Sequence, residues 1–141
     1  MFEIIIEYLF WLAAIAACWT VWMRWIAPVM AGVKSLQVDE YKQKFKKVKH
    51  TLIDVRNEDE YASGHAIRAM NIPLDVIAKQ LHEVKDDIPA DRPVVVICAT
   101  GNRSATGATA LAKAGFAPVY NITGGMTDWN AANIPTKKGK K

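Results

Sequence analysis

Two cysteines in 141 residues leave this chain without a disulfide framework. Cys18 lies in an apolar run and Cys98 far along the polar remainder, so a bridge between them is implausible. His50, His65 and His82 are scattered, and no Cys/His cluster has zinc spacing, so a metal site is not expected. There is no glycine-rich phosphate loop and no internal repeat. The basic runs Lys42 to Lys49 and Lys137 to Lys141 lack the interleaved aromatics of a nucleic-acid module and give no ground for nucleic-acid binding. Before Arg24 there is not one Lys or Arg.

That last absence marks the N-terminal segment. Tyr8 to Met23 carries no charge over sixteen residues, and apolar residues on both sides extend the run over residues 4–27. About 20 such residues cross a bilayer. Tyr8, Trp11, Trp19, Trp22 and Trp25 sit mostly toward the ends, as an interfacial aromatic belt would. A cleaved secretory leader is the alternative, with Ala31 as a candidate cleavage residue, but Glu3 and Glu7 occupy what would be its basic region. The expectation is a single membrane anchor in contact with lipid through residues 4–27. The part from residue 34 holds 17 basic and 12 acidic side chains, whereas only Glu3 and Glu7 precede the anchor. The positive-inside rule then places the N-terminus outside and the C-terminal domain in the cytoplasm. Both basic runs suit anionic headgroups as well as a solvated surface.

The remainder alternates short apolar strands with helices. Strands are expected at Leu36 to Val38, Thr51 to Val55, Ala69 to Ile72, Val94 to Ile97 and Val119 to Ile122. Asp39 is expected to cap one helix and Asn57 another, with Glu58, Asp59 and Glu60 in its first turn. Such alternation means α/β: a parallel sheet with helices on both faces, here preceded by one transmembrane helix. The chain divides into an anchor and linker (1–33), an α/β domain (34–135) and a basic tail (136–141). Arg56 and Glu60, four apart, are expected to pair locally. Asp54, His65 and Trp129 are assigned to the framework.

The stretch VVVICATGNRSATGATALAKAG, residues 94–115, concentrates the chemistry. Val94 to Ile97, following Pro93, reads as a strand buried on both faces. Ser104 to Ala114, stopped by Gly115, reads as a helix. Cys98 closes the strand, and Ala99, Thr100, Gly101, Asn102 and Arg103 carry the chain into the helix. N–H groups of so tight a loop form an anion cradle. The helix N-terminus and Arg103 add positive charge, and Gly101 supplies a backbone that side chains avoid. Together these favour a thiolate nucleophile at Cys98.

The segment CATGNRSA after VVVI resembles the active loop of the rhodanese (thiosulfate sulfurtransferase) family. LIDVRNEDEYASGHAIRAMNIPL and GFAPVYNITGGMTDW are similar to that family's flanking motifs, and together they span about Ser35 to Pro135. Arg68 stands where the family motif has glycine. The resemblance implies a rhodanese-like sheet, Cys98 as catalytic nucleophile, and Ala99, Thr100, Gly101, Asn102 and Arg103 as the substrate-binding cradle. It implies a small sulfur donor such as thiosulfate, a thiol or cyanide acceptor, and a persulfide on Cys98, in a double displacement that needs no metal or organic cofactor. It identifies no protein partner. Phosphatase or arsenate-reductase chemistry is the alternative enzyme class. Cysteine phosphatases place arginine six positions after cysteine, however, and Arg103 is five after Cys98. A non-catalytic docking or redox-sensing module tethered to the membrane is the other alternative.

Overall fold

The computed structural model describes residues 1–140. Helix α1 (Phe2–Val21) passes through a π-helical turn (Trp22–Ile26) into the short α2 (Ala27–Met30). The cause of the π turn is local. Pro28 has no N–H to donate, and the Ala27 N–H reaches back to the Trp22 carbonyl, five residues away. Phe2–Met30 is thus one 29-residue helix, with mean hydropathy 1.9 in its most apolar part, long and apolar enough to cross a membrane. The side chains of α1 are exposed, apart from half-buried Ala14.

A turn at Gly32 (φ +81°) leads into β1 (Lys34–Leu36). Next come α3 (Val38–Phe45), β2 (Thr51–Asp54), α4 (Glu58–Ser63), β3 (His65–Ala66), β4 (Met70–Asn71) and α5 (Leu74–Val84). They are followed by β5 (Val94–Ile97), α6 (Asn102–Lys113), β6 (Val119–Ile122), α7 (Gly125–Ala131) and β7 (Thr136–Lys137). Five strands form a parallel sheet in the order β1-β6-β5-β2-β4, with β5 at its centre. β3 and β7 form a separate antiparallel pair.

Strand periodicity builds two cores. Ile53, Val94, Val96 and Val119 point to one face and meet Ile77 of α5 and Ala108 and Leu111 of α6. Leu52, Val95, Ile97, Tyr120 and Ile122 point to the other and meet Phe45 of α3, Tyr61 of α4 and Trp129 of α7. All four β5 residues are buried, as expected of an apolar central strand. Each fully buried aliphatic side chain contributes about 1.5–3 kcal/mol, so β5 alone fixes both layers to the sheet.

Four expectations shift. The first strand lies at Lys34–Leu36, and its following helix is capped by Gln37 rather than Asp39; Glu40 accepts from the Gln37 N–H at 2.8 Å, closing a capping box. Helix α6 starts at Asn102, two residues earlier than expected, because Gly101 in a left-handed conformation (φ +97°) serves as its N-cap. Arg56 and Glu60 do not pair. Fully buried Asp54 takes Arg56 at 2.8 Å, since a carboxylate removed from water needs a counter-charge, and Arg56 is two residues along on the same side. The domain also packs against the end of the apolar segment: Ala27, Pro28 and Val33 are buried, Val33 joins the α6-side core, and α2 packs on α6.

Candidate active site

The β2–β5 register pairs Asp54 with Ile97, so the ends of these strands lie level at one edge of the sheet. Cys98 follows the central strand at that edge and is 1 % exposed. Thr123 and Gly124 follow β6 beside it, and Val55 and Arg56 follow β2. Ligand sites of open parallel sheets lie at this carboxyl edge. A surface hollow of about 780 Å³ lies at the opposite end, where Lys49 and His50 lead into β2, and none of the loop residues lines it.

Two donors converge on the sulfur. The Gly101 N–H donates to Cys98 Sγ at 3.0 Å, and the Ser104 hydroxyl donates at 3.3 Å. Both are aimed at the atom that would carry the charge of a sulfur nucleophile. The α6 N-terminus begins at Asn102, so its dipole lies against the same atom. Ser104 joins the site beyond the residues that the sequence pattern marks. Its signal was its place in the first helical turn, three residues after Gly101.

Helix α7 braces the loop from below. The Met126 N–H donates to the Cys98 carbonyl at 2.8 Å, and the Thr127 N–H to the Ala99 carbonyl at 3.1 Å. Gly125 (φ +53°) permits this approach, because a Cβ there would run into the Cys98 carbonyl oxygen and come within 2.7 Å of the Ala99 carbonyl carbon. The second glycine of the Gly124-Gly125 pair is therefore required by a backbone contact.

Of the remaining loop residues, Ala99 is half-buried, Thr100 and Asn102 are exposed, and Gly101 is buried. Arg103 is half-buried and turned to the rim, where its Nη1 and Nη2 each donate to a Glu60 carboxylate oxygen at 2.8 Å. That hydrogen bond, followed by a bond from the Asn57 N–H and the charges of Arg103 and Arg56, lowers the Glu60 carboxyl to about 2 against the opposing effect of burial. The same bond raises the Arg103 guanidinium, with lesser support from the Cys98 and Asp54 charges. Glu60 lies 43 residues from Arg103, so no local spacing announces the pair.

Asp54, His65 and Trp129 are all packed into the framework of the domain. Arg56 also donates to the Gly64 carbonyl at 2.8 Å, and His65 stacks on Tyr61 with ring centroids 3.6 Å apart. Trp129 is buried among the second core. Arg68 is exposed and left-handed (φ +69°), which explains why glycine suits that position and why arginine is tolerated at its cost. No group of three or more His, Cys, Asp or Glu that could hold a metal ion occurs among the described residues.

A parallel α/β sheet presenting one buried cysteine in an N–H loop, at the carboxyl end of its central strand, is the rhodanese-like architecture. The family profile for the rhodanese-like domain matches residues 37–132, and the chain belongs to that family. It is 37% identical over 106 residues to the uncharacterized protein YqhL of Bacillus subtilis, covering 75% of this chain and 79% of that one. To the uncharacterized YibN of Escherichia coli K12 it is 28% identical over 131 residues, covering 92% and 88% of the two chains. The crystal structure of a rhodanese-like domain protein from Staphylococcus aureus superposes with a TM-score of 0.60 at 33% identity, over 69% of this chain and 91% of that one.

Proposed function

We propose that the domain is a sulfurtransferase working through a Cys98 persulfide. The carrying observation is the pair of donors on Sγ, one from the Gly101 backbone and one from Ser104. They face the sulfur that carries the negative charge of the attacking thiolate, and the same short loop suits the terminal sulfur of a persulfide. With thiosulfate as donor, the Cys98 thiolate attacks the sulfane sulfur. A new S–S bond forms, the S–S bond of thiosulfate breaks, and sulfite leaves with its electron pair. Cyanide then attacks the outer sulfur, thiocyanate departs, and the thiolate returns. A cellular thiol acceptor takes the sulfur in the same way. Ala99, Thr100, Gly101 and Asn102 form the cradle wall. Arg103, engaged with Glu60, supplies positive charge at the rim where an anionic donor arrives. An arginine so held, and one position short of the phosphatase spacing, is poorly placed to clamp a tetrahedral oxyanion.

The test is mass spectrometry of the protein after thiosulfate treatment. One added sulfur is expected on wild type, removable by cyanide and absent in Cys98→Ser. Ready hydrolysis of aryl phosphates with no sulfur ever carried on Cys98 would refute it. We further propose that α1 spans a bilayer with the N-terminus outside and the domain in the cytoplasm, on the charge asymmetry about Arg24. Alkaline phosphatase fused after residue 141 should be inactive; an active fusion would reverse the orientation.

A further inference from the structure

The chain leaves its apolar helix beside the cysteine loop. Arg24 and Trp25 of the π turn and Val29 of α2 line one side of a cleft of about 230 Å³, and Thr100, Asn121 and Thr123 line the other. The Arg24 guanidinium carbon lies 5.8 Å from the Trp25 ring centroid. Asn121 is 7% exposed. Its Nδ2–H donates to the Gly101 carbonyl at 3.2 Å, which fixes the orientation of the amide. Its Oδ1 is the one buried side-chain nitrogen or oxygen without a hydrogen-bond partner among the described residues. A buried acceptor left unpaired is costly, and Asn121 lines this cleft. Gly101, held by Asn121 through its carbonyl, is the residue whose N–H reaches Cys98 Sγ.

We propose that this cleft binds a phospholipid headgroup from the bilayer that α1 enters, and that its occupancy steadies the Cys98 loop. The proposal rests on α1 spanning a bilayer. Arg24 follows directly on the apolar stretch, at the depth of the phosphodiesters, and pairs with one of them. Trp25 and Val29 pack on the glycerol and first acyl carbons, as interfacial tryptophan does. A headgroup with an N–H or O–H beyond its phosphate then satisfies Asn121 Oδ1. Phosphoethanolamine has such a donor, whereas phosphocholine, quaternary at nitrogen, has none. With Oδ1 engaged, Asn121 holds Gly101 more firmly, and the Gly101 N–H stays on the sulfur. Asn121 is thus a positioning residue that links the bilayer surface to the reactive thiol.

The experiment uses the full chain with Cys18→Ser, which leaves Cys98 as its one thiol. It is reconstituted in vesicles of phosphatidylcholine alone or of phosphatidylcholine doped with phosphatidylethanolamine. Flotation reports membrane association, and mass spectrometry follows iodoacetamide alkylation of Cys98. Phosphatidylethanolamine should accelerate alkylation about fivefold, the equivalent of one net hydrogen bond. Arg24→Gln should float and react at the phosphatidylcholine rate in both vesicles. Soluble glycerophosphoethanolamine added to phosphatidylcholine vesicles should not reproduce the acceleration; if it does so fully, the ligand is not a membrane lipid and the proposal falls. Equal rates in both vesicles, or an acceleration that survives Arg24→Gln, overturn the headgroup site while leaving the membrane anchor intact. A chain that fails to float refutes the anchor and the headgroup site together.

Discussion

Replacing Gly125 by alanine tests how the cysteine loop is held. An added Cβ meets the Cys98 carbonyl oxygen and lies 2.7 and 2.8 Å from the carbonyl carbon and oxygen of Ala99, all backbone atoms without a rotamer to escape into. Helix α7 must retreat, and the bonds from the Met126 and Thr127 N–H groups at 2.8 and 3.1 Å are lost. Two such bonds contribute about 1 kcal/mol each, and the left-handed φ of +53° costs alanine about 1–2 kcal/mol. The expected destabilisation is about 3–4 kcal/mol, a large part of a small domain's stability. Gly124→Ala is the control. Its Cβ meets the Asp128 side chain, which can rotate away, so the backbone strain alone, about 1–2 kcal/mol, remains. Guanidinium unfolding in nonionic detergent, followed by far-ultraviolet circular dichroism, compares the two against wild type. Sulfur uptake should also fall about a hundredfold in Gly125→Ala if Cys98 is displaced by about 1 Å. Equal costs for the two substitutions would refute the backbone contact as the reason for the second glycine.

Two further outcomes concern the charges around the loop. Arg56→Met leaves Asp54 buried without a counter-charge and should cost about 3–5 kcal/mol; adding Asp54→Asn should recover most of it, and an unchanged denaturation midpoint in the single variant would contradict a buried ion pair. Glu60, lowered from 4.5 to about 2, contributes stability that is fully present above pH 4.5 and lost as pH falls toward 2. The Glu60–Arg103 pair is about one-third exposed, and solvent screening limits that contribution to about 1 kcal/mol or less. The stability gap between wild type and Glu60→Gln should therefore narrow between these pH values, and a constant gap would show that the carboxylate charge does not contribute.

The sequence alone determined the architecture and marked the candidate nucleophile, because both are written in local patterns. Val94 to Ile97 reads as a buried strand, since a run apolar on both faces is soluble only between two helical layers. Gly101 and the helix after it mark the loop, and the uncharged run before Arg24 marks a helix that the domain core does not cover. What the tertiary structure alone decided are partnerships across distance. Arg56 turned from Glu60 to Asp54 because a fully buried carboxylate outcompetes a half-buried one for a cation. That left Glu60 to Arg103, 43 residues away. Asn121 gave no signal in a strand of otherwise apolar or aromatic residues, yet it joins Gly101 to a cleft walled by Arg24 and Trp25. Side-chain partners of this kind are set by which strand ends lie level in the sheet, and no spacing along the chain encodes that.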